Sequence, residues 1–344
     1  MVKRPTIADV AKQAGLSVAT VDRALTGRHR VREESLRRIA EAARVLGYHG
    51  VGLVEQRLSE ALAQVKFGFL LLGEAHQPFF QRLGQRLEEE VRATPGIRGL
   101  ARVEYLDWRD PGAIAAKIRD VGRHVQALAV VTIDHPMVSA AVADLRAKAV
   151  PVFALLSDCA PGLRESYVGL NNRKAGRAAA WFIAKMARTP GKVSILVGSS
   201  RFHGHEMREI GFRAFFREKA PAFEVIDTLV NPGSSEMAYN ATRDLLRAQP
   251  DLVGLNVAGF GPEGVIRALR EADIGHRLIV VCNENTPEAS AALAEEIITL
   301  VIDTPIDALC RELVTLMARA VREGPAPVPG QSFLPFNMLT PESI

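Results

Sequence analysis

The sequence predicts a small all-α headpiece joined to an α/β core of two doubly wound parallel-sheet subdomains. Three observations predict it. Residues 6–25, TIADVAKQAGLSVATVDRAL, place apolar side chains at helical spacing on both sides of a break at Ala14-Gly15-Leu16. From Lys66 onward, short apolar runs alternate with amphipathic stretches, the pattern of strands and helices in parallel sheets. The basic excess is confined to the first 50 residues, with ten Lys or Arg against five Asp or Glu, whereas the whole chain carries a net charge of +4. The expected division is a headpiece over 1–50, a hinge over 51–65 and a core over 66–344.

In the headpiece, Ile7, Val10 and Ala11 give one face of a first helix. Gly15 suits the positive φ of a sharp turn. Ser17 is placed to cap the second helix, accepting a backbone N–H that the first turn leaves unpaired. Val18, Val21 and Leu25 form the inward stripe of that helix, leaving Ala19, Thr20, Asp22 and Arg23 outward. A third helix is expected from about Arg32 to Leu46, with Leu36, Ile39, Ala40 and Ala43 inward and Tyr48 closing the core. The bland alternative is an ordinary αα-hairpin. Turn, cap, apolar spacing and basic surround together favour a helix-turn-helix. A solvated charge run is likewise less apt than a phosphate-binding footprint for a net-positive unit with this pattern.

Expected core strands are Phe67–Leu72, Val103–Leu106, Leu128–Ile133, Val152–Leu156, Val193–Val197, Phe223–Leu229, Val253–Val257, Leu278–Val281 and Thr299–Ile302. Helices between them include Phe80–Arg92, Ile114–Arg123, Gly176–Arg188 and Ile306–Arg322. These strands are too many for one compact sheet, and two α/β subdomains enclosing a cleft at the strand C-terminal ends is the economical arrangement. Cys159, Cys282 and Cys310 are scattered and odd in number, a poor disulfide framework that suits a reducing cytoplasm. Apolar runs stay short of eighteen residues and the N-terminus lacks an apolar signal core, so neither membrane nor secretory targeting is expected.

The pattern T-I-x-D-V-A-x-x-A-G-x-S-x-A-T-V-x-R-x-L, with Val31-Arg32-Glu33-Glu34 and Leu46-Gly47-Tyr48, resembles the headpiece of the lactose-repressor family of bacterial transcription regulators. The resemblance implies that the second helix enters the major groove of operator DNA. Val18 and Ala19 then hold the base-reading positions and Arg23 the downstream one, where its fork suits guanine O6 and N7. Thr6, Ser17, Thr20, Asp22, Arg28, Arg57 and Leu58 complete the expected DNA-binding set. Asp22 departs from the family, which carries Ser or His there. A carboxylate is repelled by phosphates, so it either accepts from a cytosine amino group or marks an unusual half-site. The hinge departs too. The family's Asn-Ala-Leu-Ala-Arg-Ser-Leu is replaced by Val51-Gly52-Leu53-Val54-Glu55-Gln56-Arg57-Leu58. Arg57 occupies the register of the leucine that wedges into the minor groove, and Leu58 lies one residue on. Gly52 costs helix stability, about 1 kcal/mol. Leu53, Leu58 and Leu62 remain able to pack between two subunits.

The same resemblance implies a type I periplasmic sugar-binding fold for the core. Gln77-Pro78-Phe79-Phe80 is similar to an Asn-Pro-Phe-Phe loop whose ring stacks on a sugar; a core pair opening a helix is the alternative. Asp134, His135, Asp158 and Asn171 follow successive strands at the cleft. Arg208, three residues before Gly211, holds a ligand-binding arginine position, with a surface ion pair as the alternative. Gly259, Asn283, Glu284 and Asp303 line the remaining side. Fewer carboxylates than the family's sugar binders carry point to a polyol, sugar acid or nucleoside-like effector rather than a plain aldose.

Other motifs were weighed. Gly259-Phe260-Gly261-Pro262-Glu263-Gly264 fits G-x-G-x-x-G after a strand and before a helix, with Glu284 about twenty residues later, the context of a dinucleotide fingerprint. A nicotinamide-dependent oxidoreductase is therefore the alternative function, although no catalytic pair accompanies the loop. His203-Gly204-His205-Glu206 has metal-like spacing without a third ligand. Ser199 and Ser200 lack a nucleophile elbow. The expected protein binds without turnover and without metal or cofactor. It is a cytoplasmic, sugar-responsive regulator, read as a repressor. It binds a pseudo-palindromic operator as a homodimer.

Overall fold

The computed structural model describes residues 4–27, 31–73, 78–231, 234–272 and 277–344, and only the backbone at Ser59. The chain divides into two compact units. One is Met1–Val65 with Arg92–Leu100; the other is Lys66–Val91 with Ala101–Ile344.

The first unit opens with α1 (Ile7–Ala14), α2 (Val18–Thr26), α3 (Glu33–Leu46) and α4 (Val51–Ala61). α1 begins in a capping box: Asp9 N–H donates to Thr6 Oγ1 and Thr6 N–H to Asp9 Oδ2. It ends at Gly15, whose φ of 61° is the left-handed cap that glycine adopts without penalty. Arg38 Nη2 ties α3 to this turn by donating to the carbonyls of Ala14 (2.7 Å) and Gly15 (3.2 Å). Val10, Val21, Ile39 and Ala43 fill the shared core. So does Val54 of α4, with Val51 and Leu58 packed against it. The segment expected as a separate hinge is thus a fourth helix of the headpiece. Burial at i, i+3 and i+7 outweighs the propensity penalty of Gly52, because packing of an apolar face dominates helix stability.

The second unit holds two sheets. Its elements in chain order are β1 (Gln64–Leu72), α5 (Pro78–Ala93), β2 (Arg98–Leu106), α6 (Pro111–Gly122), β3 (Ala127–Val130), α7 (Pro136–Arg146), β4 (Val152–Leu155), β5 (Ser166–Leu170) and α8 (Asn172–Met186). There follow β6 (Lys192–Val197), α9 (His203–Lys219), β7 (Glu224–Val225), β8 (Leu229–Val230), α10 (Ser235–Ala248), β9 (Leu252–Val257) and α11 (Pro262–Ala272). The chain closes with β10 (Ile279–Asn283), α12 (Pro287–Ala294), β11 (Leu300–Asp303), α13 (Ile306–Glu323), β12 (Gly330–Leu334) and β13 (Asn337–Leu339). The first sheet has order β12-β5-β4-β3-β1-β2; the second has order β13-β11-β10-β9-β6-β7, with β8 also on β6. Pairing is parallel wherever a register is defined, except that β13 runs antiparallel to β11. Strands covered on both faces read as continuous apolar runs. In the second sheet Leu255, Val257, Val280, Cys282 and Val301 pack in the α10–α12 layer. Ile195, Val197, Val281, Leu300 and Ile302 pack in the α8–α9 layer.

Three differences from the expected elements have physical causes. The run Phe223–Leu229 splits into β7 and β8, which pair with different parts of β6. β4 stops at Leu155 because Leu156 turns to a φ of 61°. The tail, beyond the last expected strand, supplies β12 and β13, each the outer strand of one sheet. The chain therefore passes between the sheets three times, after β5, after β11 and between β12 and β13. The last two crossings join the β12/β5 and β13/β11 edges, and the first leaves from β5 and leads through α8 to β6.

Candidate DNA-reading face and effector cleft

In the headpiece, Ser17 caps α2: its Oγ accepts from Thr20 N–H at 3.2 Å and lies 2.8 Å from Thr20 Oγ1. That cap and the inward Val21 and Ala24 leave Val18, Ala19, Asp22 and Arg23 exposed; Val18, 51% exposed, is an apolar group left in solvent. Arg23 lies back along the helix, Nε donating to Ala19 O at 3.1 Å. Thr6 Oγ1 belongs to the α1 cap. Arg28 lies outside the described residues. Arg57, exposed on α4, pairs with Glu60 at 3.0 Å, and its guanidinium rests on Gly27, where an added Cβ would come within 2.3 Å of it. Arg23, Gly27 and Arg57 line one concavity. Leu58 is half-buried against the headpiece core, whereas Leu53, also on α4, is 56% exposed.

In the core, Arg208 is placed by two glycines. An added Cβ on Gly176 of α8 would lie 1.9 Å from the Arg208 carbonyl, and one on Gly211 of α9 would lie 2.1 Å from the Arg173 carbonyl. The helices therefore cross in close contact, and the Arg208 side chain is delivered beside the start of α8. Only 6% exposed, it donates through Nε to Asn172 Oδ1 (2.8 Å) and through Nη1 to Ala258 O (2.8 Å). Burial pulls its pKa down, and the nearby Glu284 charge opposes that. Asn172 also donates to Tyr167 Oη (3.1 Å) and Leu156 O (3.3 Å). Of the pair Asn171-Asn172 at the start of α8, Asn171 is the N-cap, accepting from Lys174 N–H at 3.0 Å, and Asn172 is the one that meets Arg208.

Glu284 follows β10 with a φ of 78°, a conformation that a non-glycine residue keeps only under constraint. Desolvation lifts its carboxyl to about 7, Arg208 opposes that rise, and Glu263 and Asp303 add to it. Burial also raises the carboxyl pKa values of Asp303 and Glu263. Asn283 Nδ2, Asp303 Oδ1 and both amide atoms of Asn256 are buried without a hydrogen-bond partner, so the strand ends of this side keep unspent polar capacity.

Several expected contacts have other duties. Asp158 is held by the buried Arg164, whose Nε and Nη2 both donate to its carboxylate, the latter at 2.7 Å. His135 caps α7, its Nδ1 accepting from Met137 N–H at 3.2 Å. Asp134 accepts from Ala160 N–H at 3.0 Å. Phe79 and Phe80, each 5% exposed, meet edge to face at 5.2 Å and pack as a helix-opening core pair; Gln77 lies outside the described residues.

The Gly259–Gly264 loop uses its glycines for packing. A Cβ on Gly259 would strike Gly198 N at 2.1 Å, one on Gly264 Ser235 O at 1.9 Å, and Gly261 has a φ of 85°. His203 reaches Glu206 at 3.7 Å, while His205 turns into a cluster of rings. Among the described residues no group of three or more His, Cys, Asp or Glu is placed to hold a metal, and no helix is long and apolar enough to cross a membrane.

Two α/β sheets, largely parallel, and a separate unit of four helices with a helix-turn-helix define the class, and sequence comparison agrees. Residues 6–50 match the description "Bacterial regulatory proteins, lacI family", and residues 67–325 match "Periplasmic binding protein domain". The chain belongs to the periplasmic binding protein domain family, whose pattern spans most of it, and its first 50 residues carry the match to the lacI family of bacterial regulatory proteins. It is 26% identical over 171 residues to the HTH-type transcriptional regulator GalR of Salmonella typhimurium, covering 49% of this chain and 46% of that one. It is 27% identical over 223 residues to the regulator MalR of Streptomyces coelicolor, covering 60% and 57%. The chain thus spans about half the length of the curated relatives it matches. In fold, it is similar to a periplasmic solute binding protein of Actinobacillus succinogenes with bound D-allose (TM-score 0.72, 18% identity, 81% of this chain and 98% of that one). A solute binding protein of Burkholderia graminis in complex with D-arabinose is comparable (0.71, 19%, 81% and 96%). None of these matches supports the nicotinamide alternative.

Proposed function

We propose that the protein is a cytoplasmic, sequence-specific transcriptional regulator, a repressor whose operator affinity is set by a small sugar-like effector in the core cleft. It works by binding and not by turnover. The observation that carries this reading is the capped α2 with Val18, Ala19, Asp22 and Arg23 outward, in one chain with a buried Arg208 at the strand ends of a binding-protein fold. Thr20, Arg28 and Arg57 add DNA-backbone contacts, and the caps at Thr6 and Ser17 also aim helix N-terminal N–H groups at phosphate. The protein acts as a homodimer on a pseudo-palindromic operator, because two-fold symmetry presents two reading helices to two half-sites.

In the cleft, Arg208 donates to ligand oxygens, and Glu284, Asn283 and Asp303 take hydroxyl hydrogens or give hydrogen bonds. The likeness to proteins solved with D-allose and D-arabinose supports a polyhydroxylated ligand; polyols and sugar acids offer the same groups. Effector and operator then alter each other's affinity reciprocally. A thermal-shift screen of sugars, polyols, sugar acids and nucleosides, followed by operator titration with and without each hit, tests the proposal. A ligand that stabilises wild type but not Arg208→Ala, and that changes operator affinity, is the expected result. A hit that leaves operator affinity unchanged sinks the regulatory reading.

A further inference from the structure

Trp108 stands in the loop after β2, an edge strand, and belongs to neither core cluster of the second sheet; yet it is only 9% exposed. The rings packed on it come from the other subdomain. Its ring stacks on Phe260, in the loop after β9, at 6.2 Å and 28°, and meets Phe202, just before α9, at 5.4 Å and 60°. Phe202 and Phe260 also pack edge to face at 5.5 Å. His205 closes the group at 5.3 Å from Phe202 and 5.1 Å from Phe260. Desolvation lowers the His205 pKa to about 3, so it enters this cluster as a neutral ring. Gly198, at the end of β6, makes the room: a Cβ there would lie 2.3 Å from Phe260 and 2.8 Å from His205. Arg109 covers the Trp108 ring at 5.3 Å.

The position of this cluster in the topology gives it a role. Two of the three chain crossings between the subdomains run between the β12/β5 and β13/β11 edges, and the third leaves from β5, next to that edge; β2 and β6 lie towards the opposite edges. The rings therefore bridge the cleft at its mouth, on the far side from the hinge, where a contact has the longest lever arm against opening. A backbone bond from Asp134 N–H to Arg201 O, at 3.3 Å, joins the subdomains beside them. His205 and Arg208 lie three residues apart on α9, so they share a helix face and the cluster adjoins the cleft arginine.

We propose that Trp108, clasped by Phe260 and Phe202, is an aromatic latch that holds the core closed without ligand, and that a ligand enters only when Trp108 leaves this clasp. Access to the cleft is then governed by an apolar contact outside the polar ligand positions. The proposal takes from the functional reading only that the cleft admits a small molecule, and its test needs none. The chain has two tryptophans, and the other, Trp181, is 46% exposed. In full-length Trp181→Phe, Trp108 should emit at short wavelength and be quenched by acrylamide severalfold less than in the same chain unfolded in urea. Adding Phe260→Ala should raise the quenching severalfold. By small-angle scattering, Trp108→Ala should enlarge the ligand-free radius of gyration, and Trp108→Phe, which keeps a ring in the clasp, should retain the wild-type value. Quenching in folded Trp181→Phe as strong as in urea overturns the latch. So does a wild-type radius in Trp108→Ala. Trp108→Ala should keep the wild-type circular dichroism; loss of that signal would make Trp108 a folding residue and overturn the latch as well.

Discussion

Arg208, Glu284 and Arg23 show how single residues carry a site in this molecule. Arg208 is a buried guanidinium held by two neutral oxygens, which fixes its fork without cancelling its charge. Arg208→Ala should weaken effector binding by about 2–4 kcal/mol, the loss of a buried charge-assisted contact. Operator binding without effector should stay at the wild-type level, and a DNA titration in both conditions reads the two effects. A mutant still switched at the wild-type ligand concentration removes Arg208 from the site. Glu284 makes a pH prediction. Its folded pKa of about 7 lies above the ordinary value of 4.5, so between these the native state binds the proton more tightly than the unfolded chain. Stability must therefore fall as pH rises through that window and level off above it, by on the order of 2–3 kcal/mol. Glu284→Gln should flatten the fall, as followed by melting temperature from pH 4.5 to 8; an unchanged slope would place the titration elsewhere. For Arg23, replacement by Ala should cost about 1–3 kcal/mol at the operator and much less on random DNA. Equal losses on both would make it a phosphate contact.

At the scale of elements, α4 decides how the headpiece is built. Its inward face, Val51, Val54 and Leu58, is part of one apolar core with α1–α3. Val54→Ala should therefore destabilise the headpiece by about 1–3 kcal/mol through the cavity it leaves, seen as earlier loss of helical signal on heating. An unchanged transition would mean that α4 is not folded onto the headpiece in solution. The outward face carries Arg57 beside Gly27 and Arg23. Arg57→Ala should lower the salt dependence of operator binding by about one phosphate contact, a slope change near 0.9. If α4 enters the minor groove, Leu53→Ala should reduce operator bending more than Leu58→Ala, because Leu58 is committed to the core. The reverse order would require α4 to turn over on DNA.

For the whole molecule, the edge positions of β12 and β13 bring two of the three chain crossings to one side of the core, and the Trp108 rings bridge the subdomains near the other. Allosteric control requires two states of the core that effector and operator favour differently. Reciprocity gives the quantitative check: the factor by which an effector shifts operator affinity must equal the factor by which operator shifts effector affinity. Unequal factors would mean that a further state or partner takes part.

The sequence by itself determined the helix-turn-helix and its caps, because Thr6, Ser17 and Gly15 act through hydrogen bonds and backbone angles spanning three or four residues. It determined the alternation of strands and helices for the same reason, since apolar period is local. The family resemblance pointed to Arg208, three residues before Gly211, and the close crossing of α8 and α9 accounts for where its side chain lies. Tertiary structure decided what depends on residues far apart in the chain. The tail could be recognised as strand only through its partners β5 and β11, having no periodicity of its own. Asn172 rather than Asn171 meets Arg208, because Asn171 is spent on a cap and only the helix crossing brings Arg208 near. Asp158 is spent on Arg164. Trp108, Phe202 and Phe260 lie in three loops of two subdomains and share no sequence signal. Their meeting is a property of how the sheets face each other, which no short stretch of chain encodes.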